Sequence, residues 1–166
     1  PIVDEPDLRE LTVVVMPLPG GEFYHFGTSR EMISSTLAIQ NIVNDQREIK
    51  HYGHKPHPSI FIQNAKVDIP VKAENTNLWV ENSFVGKHWK ISHDNVITGV
   101  PENDWHITLS EGQCVDVVPI DDNNYVLRPY RIDDRFAGQQ QQTKMFPIVN
   151  GNPENREAMG ELLKDM

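Results

Sequence analysis

The chain has 166 residues, a formal net charge of −9 and 38% hydrophobic residues. That length suits one domain, or one domain and part of another. No run approaches the ~20 apolar residues that cross a bilayer, and an acidic chain lacks the basic face that a nucleic-acid backbone demands. The expectation is therefore no membrane and no nucleic-acid partner, although a local basic pocket remains possible.

The chain opens at Pro1 in an acidic loop, Asp4-Glu5-Pro6-Asp7, with no signal peptide, and reads as an excerpt of something longer. The β-branched run Leu11 to Met16 predicts a buried strand. Pro17-Leu18-Pro19-Gly20-Gly21 breaks it, and Glu22 to Phe26 predicts a second strand paired with the first. After Gly27, Thr28-Ser29-Arg30-Glu31 has the form of a capping box. A helix should run from about Ser29 to about Asp45, with Met32, Ile33, Leu37, Ile39 or Gln40, and Val43 as its apolar stripe. His51, His54 and His57 follow at a spacing that invites a metal site. Gly53, Pro56 and Pro58 oppose the helix such a site would need, so a solvated loop is expected and no metal ligand is assigned.

From Ile60 to Val100 the chain repeats itself. Phe61-Ile62-Gln63-Asn64-Ala65-Lys66-Val67 returns 18 residues later as Trp79-Val80-Glu81-Asn82-Ser83-Phe84-Val85. Val85-Gly86, Ile91-Ser92 and Ile97-Thr98 set an aliphatic residue before a small one every six residues. Three sixes make eighteen, the arithmetic of a single-stranded left-handed parallel β-helix with three short faces per coil. Such coils bury their apolar face only by stacking. Val85, Ile91 and Ile97 should fill the inner column, and Trp79, Trp89 and Trp105 should cover the core or its outer faces. The competing reading is an antiparallel β-sandwich.

Val100 to Trp105 breaks the hexad and predicts a loop leaving the coil. Strands Val115–Ile120 and Tyr125–Pro129 around the turn Asp121-Asp122-Asn123-Asn124 predict a hairpin that caps the open coil. Cys114 is the sole cysteine. It excludes an intrachain disulfide, fits a reducing cytoplasm, and in its apolar run reads as a buried, inert thiol. Gln139 to Thr143 reads as a polar linker, and a C-terminal helix should start near Pro153. The fold expected is mainly β: the β-helix, preceded by a hairpin and one helix. The expected domains are 1–50, 51–136 with the capping hairpin, and 137–166 as linker and terminal helix.

No phosphate loop, dinucleotide fingerprint, nucleophile elbow or glycine-rich lysine-bearing loop is present. No catalytic residue is assigned, and a complete active site is not expected. The runs from Pro17 to Thr36, Val80-Glu81-Asn82-Ser83, and Ile97 to Trp105 closely resemble GDP-fucose pyrophosphorylases, also called fucose-1-phosphate guanylyltransferases. The resemblance is nearest to the bacterial bifunctional form fused to an L-fucokinase, and it covers most of residues 8–136. It implies a nucleotidyltransferase domain before this chain and a kinase after it, residues 1–50 being the last hairpin and helix of the former. It implies the substrates GTP and fucose 1-phosphate, with Mg2+ assisting attack on the α-phosphorus. Related nucleotidyltransferases carry Asp-x-Gly-Thr before this helix, where the present chain has His25-Phe26-Gly27-Thr28. Tyr24, His25 and Thr28 are accordingly the candidate substrate-binding residues. A strand-end histidine with a structural hydrogen bond is the plainer account of His25, and Thr28 is already engaged as a cap. Two other readings compete: a β-helix acyltransferase using His88, His93 or His106, and a scaffold without activity, which is the state expected of this chain alone.

Overall fold

The computed structural model describes residues 12–42, 56–121, 124–135, 146 and 148–150. It is mainly β with one helix. The elements are α1 (Ser29–Ile42), β1 (Ile60–Gln63), β2 (Lys66–Val67), β3 (Leu78–Glu81), β4 (Phe84–Val85), β5 (Asn95–Thr98), β6 (Gln113–Asp121), β7 (Asn124–Arg131) and β8 (Ile148–Asn150).

The repeat is the stacking register. β1 lies parallel to β3 with Phe61 beside Trp79 and Ile62 beside Val80, and β2 lies parallel to β4 with Val67 beside Val85. β3 stacks in turn on β5, and β5 on β6, both parallel. A parallel bridge joins Lys90 to Thr108 on the third face. The result is a parallel β-solenoid of about three turns. Val80, Val85, Ile97 and Val115 are fully buried in one core with Trp89, Trp105, Ile107 and Leu109. Ile91 packs against that core from a half-buried position. The inward column thus lies where the six-residue spacing put it.

Corners are made by residues that tolerate positive φ. Asn64 (φ 46°), Asn82 (φ 48°) and Gly99 (φ 67°) turn one corner, and Asn77 (φ 53°), Asp94 (φ 57°) and Gly112 (φ 73°) turn another. Asn and Asp visit the left-handed region at low cost because their short polar side chains bond locally. Asn64 Nδ2 donates to Asn82 Oδ1 at 2.6 Å, so the corner amides link one coil to the next. Asn95 does the same job inside. It is fully buried. Its Oδ1 accepts from the Ser92 amide at 2.9 Å, and its Nδ2 donates to the Ser110 and Gln113 carbonyls at 2.8 Å each. A buried amide with its groups satisfied this way locks register rather than destabilising the core.

The opposite face of the same strands carries Phe61, Trp79, Val96 and Cys114, which form a second cluster with Ile33 of α1. α1 therefore lies on the outside of the solenoid wall. Thr28 caps it as the capping box predicts. Thr28 Oγ1 accepts from the Glu31 amide at 3.2 Å and donates to Glu31 Oε2 at 3.1 Å. Burying Ile33, at 2% exposure, contributes about 1.5–3 kcal/mol. β6 and β7 form the expected antiparallel hairpin that closes the last coil, and β8 pairs antiparallel with β7.

Three expectations need correction or extension. The hairpin expected before α1 is not formed: residues 12–28 contain no strand, and Val13, Val14, Val15, Met16, Leu18 and Phe23 are exposed. β-Branched residues make a strand only where a partner strand and an apolar layer receive them, and Pro17 and Pro19 deny the run a partner within its own loop. The segment from Val100 to Trp105 has no strand, as expected, but does not leave the coil. Val100 and Trp105 are buried in the core. Asn103 holds the segment, its Oδ1 accepting from the Trp89 indole at 3.0 Å and from the Trp105 amide at 3.1 Å. Finally, β8 falls in the stretch read as linker and helix, where it covers part of the β7 edge. Residues 43–55, 136–145 and 151–166 lie outside the described residues. The expected continuation of the helix to about Asp45, His51, His54, most of the expected linker and the expected C-terminal helix fall among them.

Candidate functional site

A groove of about 510 Å³ runs between the start of α1 and the hairpin. Phe26, Thr28, Ser29 and Met32 line one side, and Asp116, Arg128 and Tyr130 line the other. The first side is shaped by the entry into the helix. A Cβ at Gly27 would lie 2.2 Å from the tip of the exposed His25 ring, so a larger residue there would turn that ring aside. Ser35 Oγ donates to the His25 carbonyl at 2.5 Å, which ties the entry segment back to the second turn of α1.

The second side comes from the hairpin register, which sets Asp116 directly across from Arg128. Arg128 Nη2 lies 3.4 Å from Asp116 Oδ2, and its guanidinium lies over the Tyr130 and Phe146 rings at 5.9 and 5.7 Å. Tyr130 Oη donates to Asp116 Oδ1 at 3.3 Å, and the Thr98 hydroxyl donates to the same oxygen. Burial, and then the Asp116 charge, push the Tyr130 hydroxyl well above its ordinary value, so it stays a donor. One guanidinium and one phenol beside the helix start suit the oxygens of a polar ligand. They do not make a nucleophile and base. Cys114 is buried in the cluster beneath α1, and desolvation pushes its thiol up to about 12.

Of the residues singled out in the sequence, Thr28 lines the groove. Tyr24 and His25 do not. The Tyr24 hydroxyl donates to Glu22, and His25 Nδ1 lies 3.0 Å from Glu31 Oε2 on the exposed side of the helix start. Asp116, Arg128 and Tyr130 were not anticipated. Their one signal was polar and aromatic residues placed opposite one another in a strand pair otherwise rich in valine. The histidines of the acyltransferase reading do not converge. His88 and His106 stack on each other at 4.2 Å, while His93 Nδ1 lies 2.8 Å from Asp94 Oδ2.

A second cluster sits where α1 crosses the solenoid corner. Arg30 Nη1 donates to Asp94 at 2.8 Å, and Arg30 Nε and Nη2 donate to Asp133 at 2.5 and 2.9 Å. The helix, a corner and the segment after the hairpin are clasped by one side chain. Partial burial would raise the Asp94 carboxyl, but hydrogen bonds from His93 and Asn77 and the Arg30 charge hold it below the usual range. His93, Asp94 and Glu111 have ligand atoms within 4.8 Å of one another. They do not fit Mg2+. Both Asp94 oxygens are engaged by Arg30, Asn77 and His93, whereas Mg2+ wants free carboxylate oxygens, water and substrate phosphates.

No protein-family profile and no solved structure matches the chain. A match is found to the protein named L-fucokinase/L-fucose-1-P guanylyltransferase of Bacteroides fragilis, 54% identical over 144 residues. Those residues are 87% of this chain and 15% of that protein, so the chain spans a small part of its relative's length. The resemblance read from the sequence therefore stands: over most of its length this chain is similar to one segment of a bifunctional fucokinase and fucose-1-phosphate guanylyltransferase.

Proposed function

We propose that this chain is the β-solenoid part of a fucose-1-phosphate guanylyltransferase within a bifunctional fucokinase, acting in the cytoplasm. The whole protein would convert GTP and fucose 1-phosphate to GDP-fucose and pyrophosphate. The observation that carries the reading is the 54% identity to the Bacteroides fragilis enzyme over nearly the whole chain. The solenoid hand is taken as left, in keeping with six-residue faces. Residues 1–50 would belong with the nucleotidyltransferase domain, 51–136 would form the solenoid, and 137–166 would lead onward.

By itself the chain is a structural and docking module. Its groove offers Thr28, Arg128 and Tyr130 to a polar ligand but holds no nucleophile-and-base pair among the described residues. Within the whole enzyme, Tyr24, His25 and Thr28 at the helix entry would be the substrate-binding side chains that the resemblance implies, Thr28 alone of the three lining the groove. The test has two arms. The full-length protein should form GDP-fucose from GTP and fucose 1-phosphate. The isolated chain should form none, and titration calorimetry with GTP should give no tight binding. Absence of GDP-fucose in the first arm would sink the assignment, and tight GTP binding in the second would sink the docking-module reading.

A further inference from the structure

We propose that His88 and His106 chelate one divalent transition ion, of the zinc, copper or nickel class, on the third face of the solenoid. The parallel bridge between Lys90 and Thr108 sets the register there, and it puts His88 beside His106, each two residues earlier. Trp89 and Ile107, 3 and 1% exposed, point into the core. Side chains alternate along an extended chain, so the two histidines point outward, and both are exposed. Their rings stack with centroids 4.2 Å apart and planes 11° from parallel.

The nitrogens of this pair are open to a ligand. Among the described residues, no hydrogen bond or ion pair engages either ring. The other described histidines are engaged: His25 by Glu31, His57 by the Pro58 carbonyl and His93 by Asp94. Imidazole nitrogen suits zinc, copper and nickel, whereas magnesium takes oxygen. Two nitrogens bound at about 2.0–2.1 Å to a tetrahedral ion lie about 3.3 Å apart. The rings reach that spacing by turning their edges inward, and the broad histidine χ2 torsion permits the turn. The backbone stays in place, because neighbouring coils already hold the two residues one strand spacing apart, about 4.8 Å. Flanking charges do not bar a cation. Lys87 and Lys90 on one coil are matched by Glu102 and Asp104 on the next. Water completes the coordination shell, which makes this an open site rather than a closed structural one.

Zinc titration of the full-length protein by calorimetry tests this, with excess magnesium present to fill oxygen-lined sites. The wild type should take up one more zinc ion per chain than His88→Ala or His106→Ala. The double variant should lose no more than either single one, because one ion needs both rings. His106→Cys should keep the ion, since a thiolate is also a zinc ligand. Cu2+ added to the wild type should show two imidazole nitrogens in its electron paramagnetic resonance spectrum, a signal that His88→Ala lacks. Equal zinc uptake by wild type and both single variants overturns the proposal. Losses that add in the double variant overturn it too, since they mean two independent ligands. One ion per two chains with dimerisation overturns the intrachain chelate.

Discussion

Gly99 is the residue on which the junction between solenoid and hairpin turns, and Gly99→Ala should be far costlier than alanine at a comparable glycine. Gly99 sits at φ 67°, and a Cβ there would lie 2.2 Å from the Val117 carbonyl oxygen. Two costs follow. An L-residue in the left-handed region loses about 1–2 kcal/mol. The clash is with backbone, so Val117 must retreat by about 1 Å, and overpacking of this kind adds about 1–3 kcal/mol. Val117 cannot retreat freely, because it pairs with Leu127 in the hairpin and is packed in the core. The sum is about 2–5 kcal/mol. Gly112 has φ 73° but nothing closer to its added Cβ than an Ile132 methyl at 3.8 Å, and Gly20 has φ 73° with open space. Alanine at either should cost only the backbone part, about 1–2 kcal/mol. Thermal melts of the three variants separate the terms, at about 2–4 °C per kcal/mol for a chain of this size. Equal shifts for Gly99→Ala and Gly112→Ala would refute the close approach and the register that creates it.

The remaining predictions concern the core, the clasp and the thiol. Val85→Asp places a carboxyl in a fully buried site and should cost about 5 kcal/mol or more, enough to unfold the domain by circular dichroism. Ile91→Asp, half-buried, should cost about 1–3 kcal/mol, and an unchanged melting temperature for Val85→Asp would contradict the inward column. Arg30→Ala should destabilise by about 1–2 kcal/mol at neutral pH, since it strips a partner from the nearly buried Asp94. Hydrogen bonding to Arg30 lowers the Asp133 carboxyl, and Asp94 is lowered too. Stability from a depressed carboxyl is present above its unfolded value of about 3.9 and is lost as pH falls through the folded value. The wild-type advantage over Arg30→Ala should therefore shrink below about pH 4, and an advantage that grows on acidification would refute the clasp. Cys114, buried with its thiol pushed up to about 12, should resist iodoacetamide in the native protein at pH 8 and label in urea; rapid native labelling would contradict its placement.

The sequence by itself determined the solenoid. An echo at 18 residues and aliphatic residues every six are periodic signals, and periodicity survives without knowledge of distant contacts. It placed Val85 and Ile97 inside, the cap of α1 at Thr28, the hairpin after the last coil, and the similarity to a segment of a bifunctional fucokinase and fucose-1-phosphate guanylyltransferase. The corners at Asn64 and Asn82 were not read from the repeat, since a backbone angle is what marks them. What tertiary structure decided depends on partners far apart in the chain. In the third coil that corner is Gly99, where a Cβ would meet the Val117 carbonyl oxygen. The outward residues Phe61, Trp79 and Val96 are buried in a cluster with Ile33 of α1 and with Cys114 and Ile132. The groove exists because Asp116 and Arg128 face each other across a hairpin beside that helix. The valine run before α1 was misread for the same reason. Its propensity for a strand is local, but whether a strand forms depends on pairing with another strand, and among the described residues none pairs with it.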